Sequence, residues 1–380
     1  MTATQVKPQL LIWARERAGL TRAALERRFS RFAAWEAGSA SPTFRQLEQF
    51  ARTVHVPVGY LFLAEPPVER LPIPDFRSGH GERRPPSPNL LDTVYMCQGR
   101  QDWYRDYART TNEPALAFVG SLSVSTPIVE AAAIIRSILK FDLDARRACP
   151  TWTDALRAFI SQAEGIGVLV MVSGVVYNNT HRRLDPSEFR GFAIADSHAP
   201  LVFINGADTK SAQMFTLAHE LGHLWLGQSG LTDASPDSPT DGQVETWCNQ
   251  VAAEVLVPAA VLSHDVDRRE ALDAAIARLA RRYKVSTLVI LRRLRDLRVL
   301  SAAEFQNAYD AELARLLGID RGSGGDFHLT EAVRVSKRFA SALVTSTLEG
   351  HTLYRDAMQM LGMAKLETFE RFSRHLEASA

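Results

Sequence analysis

The 380-residue chain has only three cysteines, Cys97, Cys149 and Cys248, far apart and odd in number. They exclude a disulfide framework and a cysteine-type zinc finger, so a bound metal would have to be held by histidines and carboxylates. Long apolar runs are also missing, since none reaches the ~18 residues needed to span a bilayer. The opening stretch, MTATQVKPQLLIWARERAG, breaks its apolar run with charge too early for a secretory signal. The expected location is therefore the cytoplasm, with no membrane partner. Low-complexity tracts and fixed-period repeats are absent, which excludes a repeat architecture.

What is present is a globular composition, 46% hydrophobic and 23% charged. At about 150 residues per domain, the length implies two or three units. Net charge is +1 but unevenly spread: residues 1–84 hold 13 Arg/Lys against 8 Asp/Glu, a local excess of +5. The N-terminal end is thus the electrostatically favoured place to meet an anion such as DNA.

Residues 9–63 read as short helices: QLLIWARERAG, TRAALERRF with Thr21 as N-cap, SRFAAWEAG and TFRQLEQFARTVHV, followed by PVGYLF. A proline-rich exit follows, with Phe76 and Tyr60 placed to tie parts of it down. Residues 89–165 are mainly helical in pattern. The period then changes: GVLVMVSGVVY (167–177), FRGFAIAD (189–196) and PLVFING (200–206) predict a small sheet. A helix over about 209–226 comes next, then QSGLTDASPDSPTDGQ as a polar loop, then a helix stopped at Pro258. Residues 268–298 carry ten Arg/Lys against three Asp/Glu in a helix–KVS turn–helix pattern, and after a glycine-rich break, RGSGGDF, the tail is helical again. The fold class is α+β and mostly helical.

The stretch FTLAHELGHLWLG (215–227) places His219 and His223 four residues apart. On a helix that puts them about 40° apart around the axis and about 6 Å apart along it, a preformed pair of imidazole ligands. Glu220 points about 100° from His219, in position to reach water in an open coordination place as general base. Buried imidazoles and a carboxylate without partners would be costly, which argues for a bound Zn2+, one per chain.

A catalytic zinc needs a third protein ligand. The continuation H-E-x-x-H-x-x-G-x-x-H fails, because Leu226 and Ser229 stand where the glycine and third histidine belong. The remaining candidates are carboxylates. Glu245 lies on the next helix in line with Asn249 and Ala252, and small Ala252 and Ala253 permit close helix approach, so Glu245 is the expected ligand and Asn249 its supporting partner. Glu254 reads as structural, and Asp233, Asp237 and Asp241 are weaker candidates. His181 and His198 could line the cleft but read as surface residues, and Cys248 as a small buried one.

FTLAHELGHLWLG followed by VETWCNQVAAEVLVP resembles the ImmA/IrrE family of zinc metallopeptidases. The resemblance implies a zincin-like core with zinc on His219, His223 and Glu245 and Glu220 as general base. It also implies a narrow endopeptidase that cuts a protein partner, a transcriptional repressor or antitoxin, in a stress or mobile-element response. The head resembles an XRE-type helix-turn-helix, although between Thr21 and Trp35 it is about four residues shorter than that module usually is. Arg27, Arg28 and Arg31 are its candidate phosphate contacts. YKVSTLVILRRLRDL resembles a second helix-turn-helix.

The expected domains are 1–78 (helix-turn-helix and linker), 79–262 (peptidase), 263–305 (second helix-turn-helix-like module) and 306–380 (C-terminal helical domain). A homodimer fits this organisation. The alternative is a DNA-binding regulator or antitoxin, paired with a toxin, whose zinc module senses or binds a partner without turnover. Gel shifts over a salt series test the head: DNA affinity that falls steeply with salt is expected, and no shift even at low salt would remove DNA as a partner.

Overall fold

Short apolar runs with good caps build the head. The computed structural model describes residues 5–75, 86–232, 242–317 and 334–378. Phe76 and the exit up to residue 85, Asp233, Asp237, Asp241 and the RGSGGDF break lie outside them. Two compact units are formed, 1–72 with 83–94, and 73–82 with 95–380.

The first unit contains α1 (Pro8–Arg17), α2 (Arg22–Glu26), α3 (Phe32–Glu36), α4 (Phe44–Val54) and a 3-10 turn at Val58–Phe62. The Thr21 hydroxyl accepts the Ala24 N–H, and Thr43 and Gln46 form a reciprocal capping box on α4. Phe29, Phe32, Trp35, Leu47 and Phe50 share one core. α2 and α3 are only five residues each, so tertiary packing rather than propensity holds them.

The second unit is built around a four-stranded sheet of order β1-β3-β2-β4: β1 (Leu169–Ser173), β2 (Gly191–Ile194), β3 (Leu201–Asn205) and β4 (Gly230–Thr232). β1 and β3 run parallel, while β2 is antiparallel to both β3 and β4. The predicted strands are present, and β4 is an addition: the segment read as a polar loop begins with a strand. All strand positions are buried, because both faces are covered. On one face Val170, Val172, Val202 and Ile204 join an apolar cluster with α8 (Trp152–Gly165) and α9 (Lys210–Trp225). Phe192 stacks on its cross-strand neighbour Phe203 at 5.0 Å. Toward that side α5 (Pro88–Thr110) contributes Gln101, whose amide donates to Ile194 O and Ala199 O.

α9 is buried from Gln213 to Trp225, enclosing the polar side chains of Gln213, Thr216, His219, Glu220 and His223 among its apolar ones. Thr209 caps its start, and the carbonyls of Leu224 and Trp225 accept the N–H groups of Gly120 and Leu122 at 3.0 Å. α10 (Gln243–Leu256) packs against α9 and against α6 (Ile128–Leu139). The approach to α9 is close, since a Cβ on Gly222 would stand 3.3 Å from Cys248 Sγ.

The C-terminal end of α10 is gripped by three arginines. Arg136 donates to Glu254 O at 2.7 Å, Arg146 of α7 (Leu143–Ala148) to Leu256 O, and Arg293 to Val257 O at 2.9 Å. Cations belong at that negative end of a helix. Arg293 also forms a buried ion pair with Glu254.

α11 (Ala259–Asp265), α12 (Leu272–Tyr283), α13 (Thr287–Asp296) and α14 (Ala302–Leu317) follow. The helix–turn–helix pattern at 268–298 appears as α12 and α13, with Ser286 capping the latter; Leu279, Tyr283, Ile290 and Leu294 share the apolar cluster of the sheet and α9. α15 (Lys337–Leu348), α16 (Tyr354–Leu361) and α17 (Leu366–Ala378) complete the unit. Arg100 donates to Met360 O. No helix among the described residues is long and apolar enough to cross a membrane.

Removing the guanidinium at Arg293 strands the Glu254 carboxylate. Arg293→Met is expected to cost about 3–5 kcal/mol in urea unfolding, and adding Glu254→Gln to recover most of that loss. Equal stability of Arg293→Met and the parent chain would contradict the pairing.

Candidate metal centre

The spacing along α9 and the approach of α10 bring three side chains to one point. His219 Nε2 and His223 Nε2 are 3.1 Å apart, and Glu245 reaches them with Oε2 at 3.2 Å from the first and Oε1 at 3.1 Å from the second. Both histidines are fully buried and Glu245 nearly so. Among the described residues this is the one group of three or more His, Cys, Asp or Glu side chains able to hold a metal ion.

Asn249 Oδ1 lies 2.9 Å from His219 Nδ1. With that nitrogen donating to the amide oxygen, the His219 Nε2 lone pair is turned toward the cluster. Two imidazole nitrogens and a carboxylate within 3.1–3.2 Å of one another need a proton or a cation shared among them. The separations also approach the ~3.3 Å edge of a tetrahedral site with arms of about 2.0–2.1 Å. The donor set therefore fits a divalent transition metal.

Burial opposes charge on Glu245, but hydrogen bonds and charge from His219 and His223 outweigh it and hold the carboxyl down to about 2. The pairing is reciprocal at His219: burial works against its protonated form, and Glu245 more than offsets this.

Glu220, fully buried beside the cluster, behaves oppositely. Burial pushes its carboxyl up to about 8, with Glu245 adding to the effect and His219 and Thr232 opposing it. The Thr232 hydroxyl donates to Glu220 Oε1, whereas Oε2 has no hydrogen-bond partner among the described residues. A buried oxygen without a donor is costly. One oxygen is thus held and the other is available to a proton.

Sequence reasoning named His219, Glu220, His223, Glu245 and Asn249, and the structure brings these together. Glu254 is elsewhere, in its ion pair with Arg293 and accepting the Ala259 N–H. His181 is exposed, and His198 bonds its neighbour Ser197. Cys248 is buried against Gly222, its thiol pushed well up by burial. Arg27, Arg28 and Arg31 are exposed on the head.

Two residues were missed. Thr232 sits on a three-residue strand too short to show a period. Gly191 had a readable signal, a glycine inside a strand pattern, which marks a close approach. A Cβ there would lie 2.6 Å from Thr216 Cγ2 and 3.0 Å from Glu220 Oε1.

Comparison with known proteins converges on the same segment. Residues 163–295 match the IrrE N-terminal-like domain, and residues 335–375 match a domain of unknown function, DUF8813. The chain is 31% identical over 138 residues to the radiation response metalloprotease IrrE of Deinococcus radiodurans, covering 35% of this chain and 41% of that protein. It is 36% identical over 96 residues to the radiation response metalloprotease IrrE of Deinococcus deserti, covering 24% of this chain and 34% of that one. The aligned part thus spans about two-fifths of the first relative and one-third of the second. No solved structure matches the chain.

Chelator competition with Zn2+ and Co2+ tests the donor set. Glu245→Gln is expected to abolish tight binding, and Asn249→Ala to weaken it by about 10–100-fold. Parent-like affinity in Glu245→Gln would remove Glu245 as a ligand.

Proposed function

We propose that the chain, whose residues 163–295 match the IrrE N-terminal-like domain, is a member of the ImmA/IrrE family and a zinc-dependent endopeptidase that regulates by cutting one protein partner. The partner proposed is a transcriptional repressor or antitoxin, in a stress or mobile-element response. The observation that carries this reading is Glu220, a buried carboxylate with one oxygen held by Thr232 and the other unpartnered, directly beside three convergent donors. A site that only stored a metal has no use for such a carboxylate.

His219, His223 and Glu245 would hold the zinc, with Asn249 fixing the His219 ring. Bound zinc supplies an acidified water and polarises the scissile carbonyl. Glu220 accepts the proton of the attacking water at Oε2 and passes it to the departing amine nitrogen. Burial raises the proton affinity of this carboxylate, which suits a group that must both take and return a proton near neutral pH. Thr232 keeps Oε1 from rotating into that role.

Exposed Arg27, Arg28 and Arg31 on a head of net positive charge favour DNA as an additional partner of the first unit.

The zinc-loaded chain and its Glu220→Gln variant are to be compared on repressors and toxins encoded beside the gene. Cleavage of one of them is expected, with the variant keeping its zinc and losing at least about 100-fold in rate. A variant with zinc and full regulatory activity would overturn the protease reading.

A further inference from the structure

The cations at the end of α10 outnumber the negative charge they face. Arg136 and Arg146 both donate to its last carbonyls, yet a helix C-terminus carries only about half a unit of negative charge. The Glu254 carboxylate is bonded to Arg293, and only its charge reaches Arg136. Arg146 is buried and has no carboxylate partner among the described residues: Nη2 donates to Leu256 O, while Nε and Nη1 have no acceptor. Burial, with the charges of Arg147 and Arg136 acting in the same sense, lowers its pKa to about 9. A buried guanidinium without a counter-charge is unfavourable.

Beside these arginines, where α6 turns into α7, lies an open recess of about 470 Å³ lined by Ala133, Arg136, Ser137, Lys140, Phe141 and Asp142. Arg136 is half-buried and Lys140 exposed, and neither forms an ion pair among the described residues. The Phe141 ring connects the recess to Arg146, whose guanidinium lies 4.8 Å from the ring centre. The one carboxylate on the wall, Asp142, accepts the N–H groups of Asp144 and Ala145 with Oδ1.

We propose that this recess binds the phosphate group of a small anionic molecule. Arg136 and Lys140 donate to its oxygens, Ser137 adds a hydroxyl, and Arg146 supplies uncompensated charge across the Phe141 ring. A guanidinium and an ammonium on one wall suit a tetrahedral oxyanion of charge about −1.5 to −2, which matches the positive excess better than a single carboxylate does. An anion there offsets part of the repulsion among the arginines at the end of α10. Its binding therefore steadies the last turn of the helix that presents Glu245.

The full chain is titrated calorimetrically with inorganic phosphate and, separately, with AMP, at an ionic strength held constant with chloride. Saturable binding is expected; AMP tighter than phosphate identifies a phosphate ester as the ligand, and AMP no tighter identifies the free ion. Lys140→Ala, a change at an exposed side chain, and Arg136→Gln are each expected to weaken binding about tenfold or more. Hydrogen exchange at the Val257 amide, which donates to Ala253 O, is expected to slow on saturation. No saturable heat with either probe, or parent-like affinity in both variants, would rule the site out. Unchanged exchange at Val257 in the saturated chain would remove its link to α10.

Discussion

The site depends on how closely α10 can lie against α9. Two imidazoles four residues apart form only an edge of a coordination polyhedron, and the third donor must come from a different helix. Glycine at 222 opposite Cys248 sets that approach, with Ala252 and Ala253 keeping the contact face of α10 small. A bulkier residue at 222 would push Glu245 away before it disturbed either histidine. Glu220 is enclosed from the other side, by β2 and β4, so the raised proton affinity of this carboxylate has a different geometric origin from the convergence of the donors.

The sheet adds the second condition. β2 passes so near α9 that Gly191 leaves no room for a side chain between the strand and Glu220, and β4 supplies the hydroxyl that holds one carboxylate oxygen. The sheet therefore acts on the orientation of one side chain, while the two helices act on where the donors meet. The strand that holds Glu220 is also the one against which residues 73–75 lie.

Features set by local spacing could be read from the sequence. The histidine pair, the position of Glu220 and the line through Glu245 and Asn249 follow helical periodicity, and the β-branched runs announced three strands. Features set by pairing across the chain could not. β4 is three residues long inside a polar stretch, and its existence depends on β2, some 40 positions earlier. The arginines at the end of α10 come from α6, α7 and α13, and a sequence pattern shows them only as surface charge. The segment at 73–75 reads as part of a proline-rich exit, and its backbone partner, Leu231, is too remote to be inferred. Glu254 was read as a solvated or structural carboxylate, and its ion-pair partner Arg293, 39 positions further on, was not legible.

The arginine grip on α10 has a consequence for the ion itself. The helix that presents Glu245 is anchored at its far end by Arg136, Arg146 and Arg293, through backbone carbonyls remote from the histidines. A metal entering the cluster finds its ligands already ordered and loses little free energy to organising them. Metal binding at such a site would be a local event on a standing scaffold rather than one coupled to the folding of the helices around it.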